Sequence, residues 1–128
     1  MNHRWIILWG AALGASAVTA GAFGAHGLKN LLPPASLEAW EIAVRYQLIH
    51  AMTLLILFAL AQLLDSRLIP RAAQLMTVGT LCFSGSLYLL ALTGNKWLGP
   101  VTPLGGSLLI AGWLTLFYAG LKTKTGAV

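Results

Sequence analysis

The chain has 128 residues, of which 58% are hydrophobic and only 9% are charged, and its formal net charge is +5. A soluble domain usually has about 25% charged residues, so this composition indicates a membrane protein and excludes a separate soluble catalytic or nucleic-acid-binding domain at this length. The basic residues stand at the ends of apolar runs, as is typical of contact with a lipid bilayer. We therefore expect the bilayer as a partner and no nucleic acid.

Four runs of the sequence contain no Asp, Glu, Lys or Arg: residues 5–28, 46–64, 72–95 and 97–121. A helix needs about 20 mostly apolar residues to cross the hydrocarbon layer. The runs predict an all-α membrane protein, a single-domain bundle of four transmembrane helices with short loops, with spans at about 5–25, 46–64, 72–93 and 104–121. The first run is longer than the apolar core of a secretory signal, so we interpret it as a retained span, with a cleaved signal as the alternative.

Small residues recur at spacings of four, three, four and three along the first span: Gly10, Gly14, Ala17, Gly21 and Gly24. On a helix these positions form one stripe, which begins with a GxxxG motif. Stripes of small residues let two helix backbones approach closely in a membrane. We expect this stripe to pack against the other helices of the bundle, and a homodimer face is the alternative.

The connections are predicted from Gly and Pro. Residues 26–35 are expected to form a loop because Gly27 and the Pro33-Pro34 pair oppose a helix. Ser36 is the predicted N-cap of an amphipathic surface helix at about 36–45, which either runs into the second span or bends near Arg45. Residues 65–71, with Pro70, predict a tight turn. Residues 94–103 contain too many Gly and Pro residues for a helix.

The distribution of basic residues predicts the orientation. The tails and the second loop carry five: Arg4, Arg67, Arg71, Lys122 and Lys124. The first and third loops carry three: Lys29, Arg45 and Lys96. Because loops rich in Lys and Arg stay in the cytoplasm, this difference predicts that both termini are cytoplasmic.

With that topology, polar side chains collect at the outer ends of the spans and in the outer loops. This candidate binding cluster consists of His26, Arg45, Tyr46, Gln47, His50, Ser84, Ser86, Tyr88, Asn95 and Thr102. Ionisable residues inside a membrane often mark a functional site, which favours recognition of a partner or a small ligand. The alternative is structural, since polar side chains also form hydrogen bonds between transmembrane helices.

Catalysis and cofactor binding have little support in the sequence. The three carboxylates, Glu38, Glu41 and Asp65, flank the spans, and no set of nucleophile and base can be assembled. We therefore expect no enzymatic activity and no cofactor. Two histidines, His26 and His50, leave haem or metal binding as a third hypothesis.

Several separated blocks carry a resemblance to a known family. They are GAFGAHGL at 21–28, the segment 40–51 with YQ at 46–47, FSGSLY at 83–88 and GPVTPLGG at 99–106, followed by Gly112-Trp113. The chain strongly resembles the YgdD/YwdK-like small inner-membrane proteins, domain-of-unknown-function family 423, which have a small transmembrane counterpart in eukaryotes. The resemblance spans nearly the whole chain. It implies a four-span helical protein of a bacterial inner membrane, and it implies no activity, substrate or catalytic residue.

These observations predict a non-enzymatic multi-pass protein of the bacterial inner membrane, either an accessory or assembly protein or a ligand-binding protein. A membrane-protein partner or a homo-oligomer is expected beside the lipid. The alternative is an oligomeric transporter or channel for a small solute or ion.

Overall fold

The structure is a computed structural model that describes residues 2–123. Its four long helices are α1 (Arg4–Phe23), α2 (Pro34–Leu63), α3 (Leu68–Thr93) and α4 (Val101–Lys122). A π-helical turn, Gly24–Leu28, extends α1, and a 3-10 turn, Lys96–Leu98, precedes α4. All four helices are long and apolar enough to cross a membrane, and the described residues include no strand, which confirms the predicted all-α, four-span fold.

Helices that follow each other along the chain pack side by side. The centre of the bundle is formed by α2 and α3, with α1 packed mainly on α2 and α4 mainly on α3. The bundle therefore has two ends, which we call the turn end (the start of α1, the α2–α3 turn and the end of α4) and the loop end (residues 24–33 and 94–100). Lys124, counted above among the basic residues of the tail, lies outside the described residues.

The small-residue stripe of α1 faces α2. A Cβ atom added at Gly10 would lie 2.9 Å from Leu55 Cδ2 and 3.2 Å from the carbonyl oxygen of Ala51. Near the loop end, a Cβ atom at Gly24 would lie 2.7 Å from the indole ring of Trp40. Gly residues at these positions allow close approach of the two helices, so the stripe packs inside the chain.

A second close approach, which the small-residue stripe of α1 does not predict, joins α3 and α4. A Cβ atom at Gly79 would lie 2.9 Å from the backbone nitrogen of Leu109, and one at Gly112 would lie 2.6 Å from Met76 Cγ. At Gly105 the backbone of Phe83 occupies the position of the missing Cβ atom. Gly79, Gly105 and Gly112 are therefore required by the close packing of α3 and α4.

The predicted start of α2 is wrong. The helix begins at Pro34 rather than after Ser36, and Ser36 makes no capping hydrogen bond. Proline is well suited to the first helical position, because the N–H group it lacks has no partner there and its φ is already helical. The helix is 30 residues long and passes Arg45 without a break, so the surface helix runs into the second span, which is one of the two predicted alternatives.

The predicted turn at 65–71 and the predicted loop at 94–103 are both too long. Pro70 and Pro103 are the third residues of α3 and α4. Proline is compatible with the first turn of a helix, where backbone N–H groups have no partner within the helix. The end of α3 does follow the expected chemistry, since Gly94 adopts the left-handed conformation with φ of 70°.

Candidate binding cleft between α1 and α3

Gln47 joins three helices near the middle of the bundle. Its side chain is only 6% exposed. The amide nitrogen Nε2 donates to the carbonyl oxygen of Leu13 at 2.9 Å and to Ser16 Oγ at 2.7 Å, and Oε1 accepts from the hydroxyl of Tyr88 at 2.6 Å. If the side-chain amide of Gln47 were reversed, its oxygen would lie against the carbonyl oxygen of Leu13, so the hydrogen-bond partners determine the orientation of the amide.

Trp40 lies on the same side of α2, closer to the loop end. Its indole Nε1 donates to the carbonyl oxygen of Ala20 at 2.8 Å. Its ring meets the ring of Tyr88 edge-on, with centroids 4.6 Å apart. Trp40 and Tyr88 therefore connect α1, α2 and α3 through one aromatic contact and two hydrogen bonds.

Between α1 and α3 these residues surround a cleft of about 280 Å³. Its lining comes from α1 (Leu13, Ser16 and Ala20), α2 (Trp40 and Gln47) and α3 (Thr80, Leu81, Ser84, Gly85 and Tyr88). None of these side chains is charged. Ser16 and Leu81 are exposed, so the cleft opens on the lateral surface of the bundle.

Three of the four hydroxyl groups that line the cleft, those of Ser16, Ser84 and Tyr88, already donate a hydrogen bond within the protein. Ser16 Oγ donates to the carbonyl oxygen of Ala12 at 2.8 Å, and Ser84 Oγ donates to that of Ala43 at 2.7 Å. Tyr88 donates to Gln47. Each of these oxygens keeps the capacity to accept a further hydrogen bond. The cleft therefore offers hydrogen-bond acceptors, without charge, to a molecule that enters it.

Thr80 is the exception among the described threonines. Six others donate to the carbonyl oxygen four residues earlier: Thr19, Thr53, Thr77, Thr93, Thr115 and Thr123. Thr102 pairs with Ser86. Thr80, which is 1% exposed, has the one buried side-chain oxygen or nitrogen within residues 2–123 that lacks a partner. A buried hydroxyl without a partner costs about 1–3 kcal/mol.

His50 belongs to a separate group on the α4 side of α2. The indole Nε1 of Trp113 donates to His50 Nε2 at 3.0 Å. Because an indole nitrogen can only donate, Nε2 carries no proton, and Nδ1–H donates to the carbonyl oxygen of Tyr46 at 2.8 Å. The ring of Tyr46 lies against His50 and against Phe83.

This arrangement argues against the haem or metal hypothesis. Both ring nitrogens of His50 are engaged, and His26 is exposed in the π-helical turn at the end of α1. Within the described part of the chain, no three His, Cys, Asp or Glu side chains come together as a metal site would require. The two histidines therefore do not form a pair of ligands.

The structure divides the single polar cluster predicted from the sequence. Gln47, Ser84 and Tyr88 line the cleft, whereas His50 bonds to α4 and the ring of Tyr46 lies against His50 and Phe83. Ser86 and Thr102 form a hydrogen bond between α3 and α4. The remaining members of the predicted cluster are exposed: His26, Arg45 and Asn95. Of these, Asn95 contacts a polar side chain through its backbone nitrogen, which donates to Thr93 Oγ1 at 3.3 Å.

Four residues of these groups were missed from the sequence. Ser16 stands next to the small-residue stripe, and Trp40 lies in the segment interpreted as a surface helix. Thr80 and Trp113 lie within apolar runs. Trp40 forms a hydrogen bond with Ala20, 20 positions away, and Trp113 forms one with His50, 63 positions away. Local sequence patterns do not predict contacts over such separations.

Comparison with known proteins agrees with the predicted resemblance. The family model described as "Protein of unknown function (DUF423)" matches residues 20–106. A UPF0382 membrane protein of Staphylococcus haemolyticus is 42% identical over 93% of this chain and 97% of its own length. The UPF0382 membrane protein YwdK of Bacillus subtilis is 40% identical over 91% and 95%, and one of Haemophilus influenzae is 36% identical over 98% and 99%.

No solved structure matches the chain. The family match covers the whole of α2 and α3, including Trp40, Gln47, Ser84 and Tyr88. The relatives align from end to end and are named as membrane proteins, in agreement with the four apolar helices. This chain is therefore a multi-pass membrane protein that belongs to the DUF423 family.

Proposed function

We propose that this protein is a non-enzymatic accessory protein of the bacterial inner membrane that binds an uncharged amphiphilic ligand in the cleft between α1 and α3. The observation that carries the proposal is the lining of the cleft, which combines apolar walls with hydroxyl oxygens able to accept hydrogen bonds. Bacterial relatives named as membrane proteins support the location. The excess of basic residues at the turn end supports cytoplasmic termini.

The chemistry of the lining selects among ligands. An anionic group would meet no basic side chain in the cleft, and a cation would meet no carboxylate. A hydroxyl or N–H group could donate to the free acceptor positions of Ser16, Ser84 and Tyr88. A volume of about 280 Å³ is suited to the polar end of such a molecule with part of an alkyl chain. The ligand class is therefore a neutral membrane lipid or lipid-like alcohol.

The same contacts favour binding over catalysis. Activation of a serine requires an adjacent base that receives its proton. In the cleft, Ser16 and Ser84 donate to backbone carbonyl oxygens, and the lining contains no His, Asp, Glu or Lys. These hydroxyl groups are arranged to hold a ligand in place.

The test uses two probes with the same alkyl chain, one that carries an alcohol group and one that does not. Oleyl alcohol should raise the melting temperature of the purified protein in detergent, whereas methyl oleate, which has no hydrogen-bond donor, should have little effect. Gly85→Leu should abolish the response to oleyl alcohol, because Gly85 lines the cleft and a Cβ atom there meets nothing within 4 Å.

Gly120→Leu is the matched control, since Gly120 on α4 also has open space around its Cβ position and does not line the cleft. The proposal is wrong if the two probes act equally or if Gly85→Leu responds as Gly120→Leu does. The transporter alternative predicts instead a flux of solute or ion through proteoliposomes that depends on Gln47, which we do not expect.

A further inference from the structure

A larger pocket, of about 790 Å³, lies at the turn end of the bundle, opposite the loop end. It is formed where the start of α1, the end of α2, the α2–α3 turn and the start of α3 meet. Its polar lining includes His3, Gln62, Asp65, Arg67, Arg71 and Gln74. It shares no residue with the cleft, and unlike the cleft it is charged.

The start of α3 brings the basic side chains of this pocket together. Arg67, Arg71 and Gln74 are spaced by four and three residues, so they follow one face of the helix. Both arginines are exposed, and neither forms an ion pair with a carboxylate of the described residues. Asp65 is the one carboxylate of the lining, so the two guanidinium groups leave an excess of positive charge.

This charge is suited to phosphate. Guanidinium groups bind phosphate oxygens through two parallel hydrogen bonds, a geometry that lysine cannot supply. The N-terminus of α3, a helix of 26 residues, adds its partial positive charge at the same place. Gln62 and Gln74 offer amide groups for the ester oxygens or hydroxyl groups of a headgroup.

The position of the pocket indicates the source of the phosphate. Leu63 and Leu64 also line it, and Leu63 is 65% exposed at the end of a membrane-spanning helix. A ligand whose phosphate meets the arginines would therefore have its apolar part beside these leucines. Basic pockets between transmembrane helices are known to hold lipid headgroups. We propose that this pocket binds the phosphodiester headgroup of an anionic phospholipid.

The proposal is tested on the full-length protein in detergent, with phosphatidylglycerol as the probe and thermal unfolding as the readout. Phosphatidylglycerol should stabilise the wild-type protein, and Arg67→Gln/Arg71→Gln should weaken its apparent affinity about 30-fold, since each basic residue at an anionic surface contributes about fivefold. Lys29→Gln/Arg45→Gln is the matched control, because it removes the same charge at two exposed residues that do not line the pocket.

Equal weakening in the two double variants would mean that net charge alone attracts the lipid, and would overturn the proposal. So would wild-type affinity in Arg67→Gln/Arg71→Gln. Inorganic phosphate at the same concentration should give no stabilisation, and equal protection by it would overturn the assignment to a lipid.

A single variant, Arg71→Lys, covers the case in which the double variant does not fold. It keeps the charge and removes the paired hydrogen bonds, so it should bind phosphatidylglycerol more weakly than the wild type; unchanged affinity would again contradict the site. Neither result bears on the response to oleyl alcohol, which tests the cleft through different residues.

Discussion

The indole nitrogen of Trp113 on α4 donates a hydrogen bond of 3.0 Å to Nε2 of His50 on α2. The bond links two helices that are not neighbours in the chain, and it fixes His50 in the neutral form with its proton on Nδ1. A histidine inside a membrane is commonly suspected of a chemical role. Here both ring nitrogens of His50 form hydrogen bonds within the protein, so its role is structural.

His50→Ala should therefore destabilise the protein. The change removes the only acceptor that Trp113 has within the described residues and leaves a cavity, and the two effects together should lower the free energy of unfolding by about 1–3 kcal/mol. Unfolding in mixed detergent micelles, followed by tryptophan fluorescence, measures this loss. His26→Ala, at an exposed position, is the control, and equal stability of the two variants would contradict the role assigned to His50.

Gln47→Leu should also destabilise the bundle, because it leaves the hydroxyl of Tyr88 without its acceptor and breaks the link to α1. Hydrogen bonds between transmembrane helices contribute about 0.6–2 kcal/mol each. Gln62→Leu, at an exposed position of the same helix, controls for the change in polarity. In a double-mutant cycle, Gln47→Leu and Tyr88→Phe should be non-additive, and additive effects would mean that the two side chains do not interact.

Gly105→Ala and Gly106→Ala should change the free energy of unfolding in opposite directions. A Cβ atom at Gly105 collides with the backbone of Phe83, so the two helices must separate, at a cost of about 1–3 kcal/mol. A Cβ atom at Gly106 meets Phe83 Cδ1 at an ordinary 3.6 Å, and alanine is the better helix former by about 1 kcal/mol. Unfolding experiments on both variants measure the difference, and a stable Gly105→Ala protein would show that α3 and α4 do not approach so closely.

Thr80→Val should stabilise the protein, by up to about 1–3 kcal/mol, because valine has the shape of threonine without the unpaired buried hydroxyl. Thr77→Val is the control three residues away: Thr77 donates to the carbonyl oxygen of Ala73 at 2.8 Å, so its replacement should not stabilise. If Thr80→Val is instead less stable than Thr77→Val, the hydroxyl of Thr80 has a partner in the purified protein.

The four spans could be predicted from the sequence because the bilayer imposes a simple requirement, which is a long run without charge. The ends of the helices were harder to predict. In the sequence, Pro34, Pro70 and Pro103 predict turns or loops, yet each lies in the first turn of a helix, where the absence of its N–H group has little cost.

The candidate site was predicted only in part. The helix rise gives the depth of each polar side chain, so residues at similar depth could be grouped from the sequence. Which neighbour each side chain meets depends on how the helices are rotated and packed. Gln47 and His50 are three residues apart on α2, yet Gln47 bonds to α1 and α3 whereas His50 bonds to α4.

The packing of each helix mainly on the one before it has a consequence for biosynthesis. Once α1 and α2 have left the ribosome and entered the membrane, the amide nitrogen of Gln47 finds its partners on α1 at once. Its oxygen gains its partner only when Tyr88 on α3 is present, and His50 gains Trp113 only when α4 is present. Assembly can therefore proceed helix by helix in the order of synthesis, and the insertion of α4 completes the hydrogen bonds of α2.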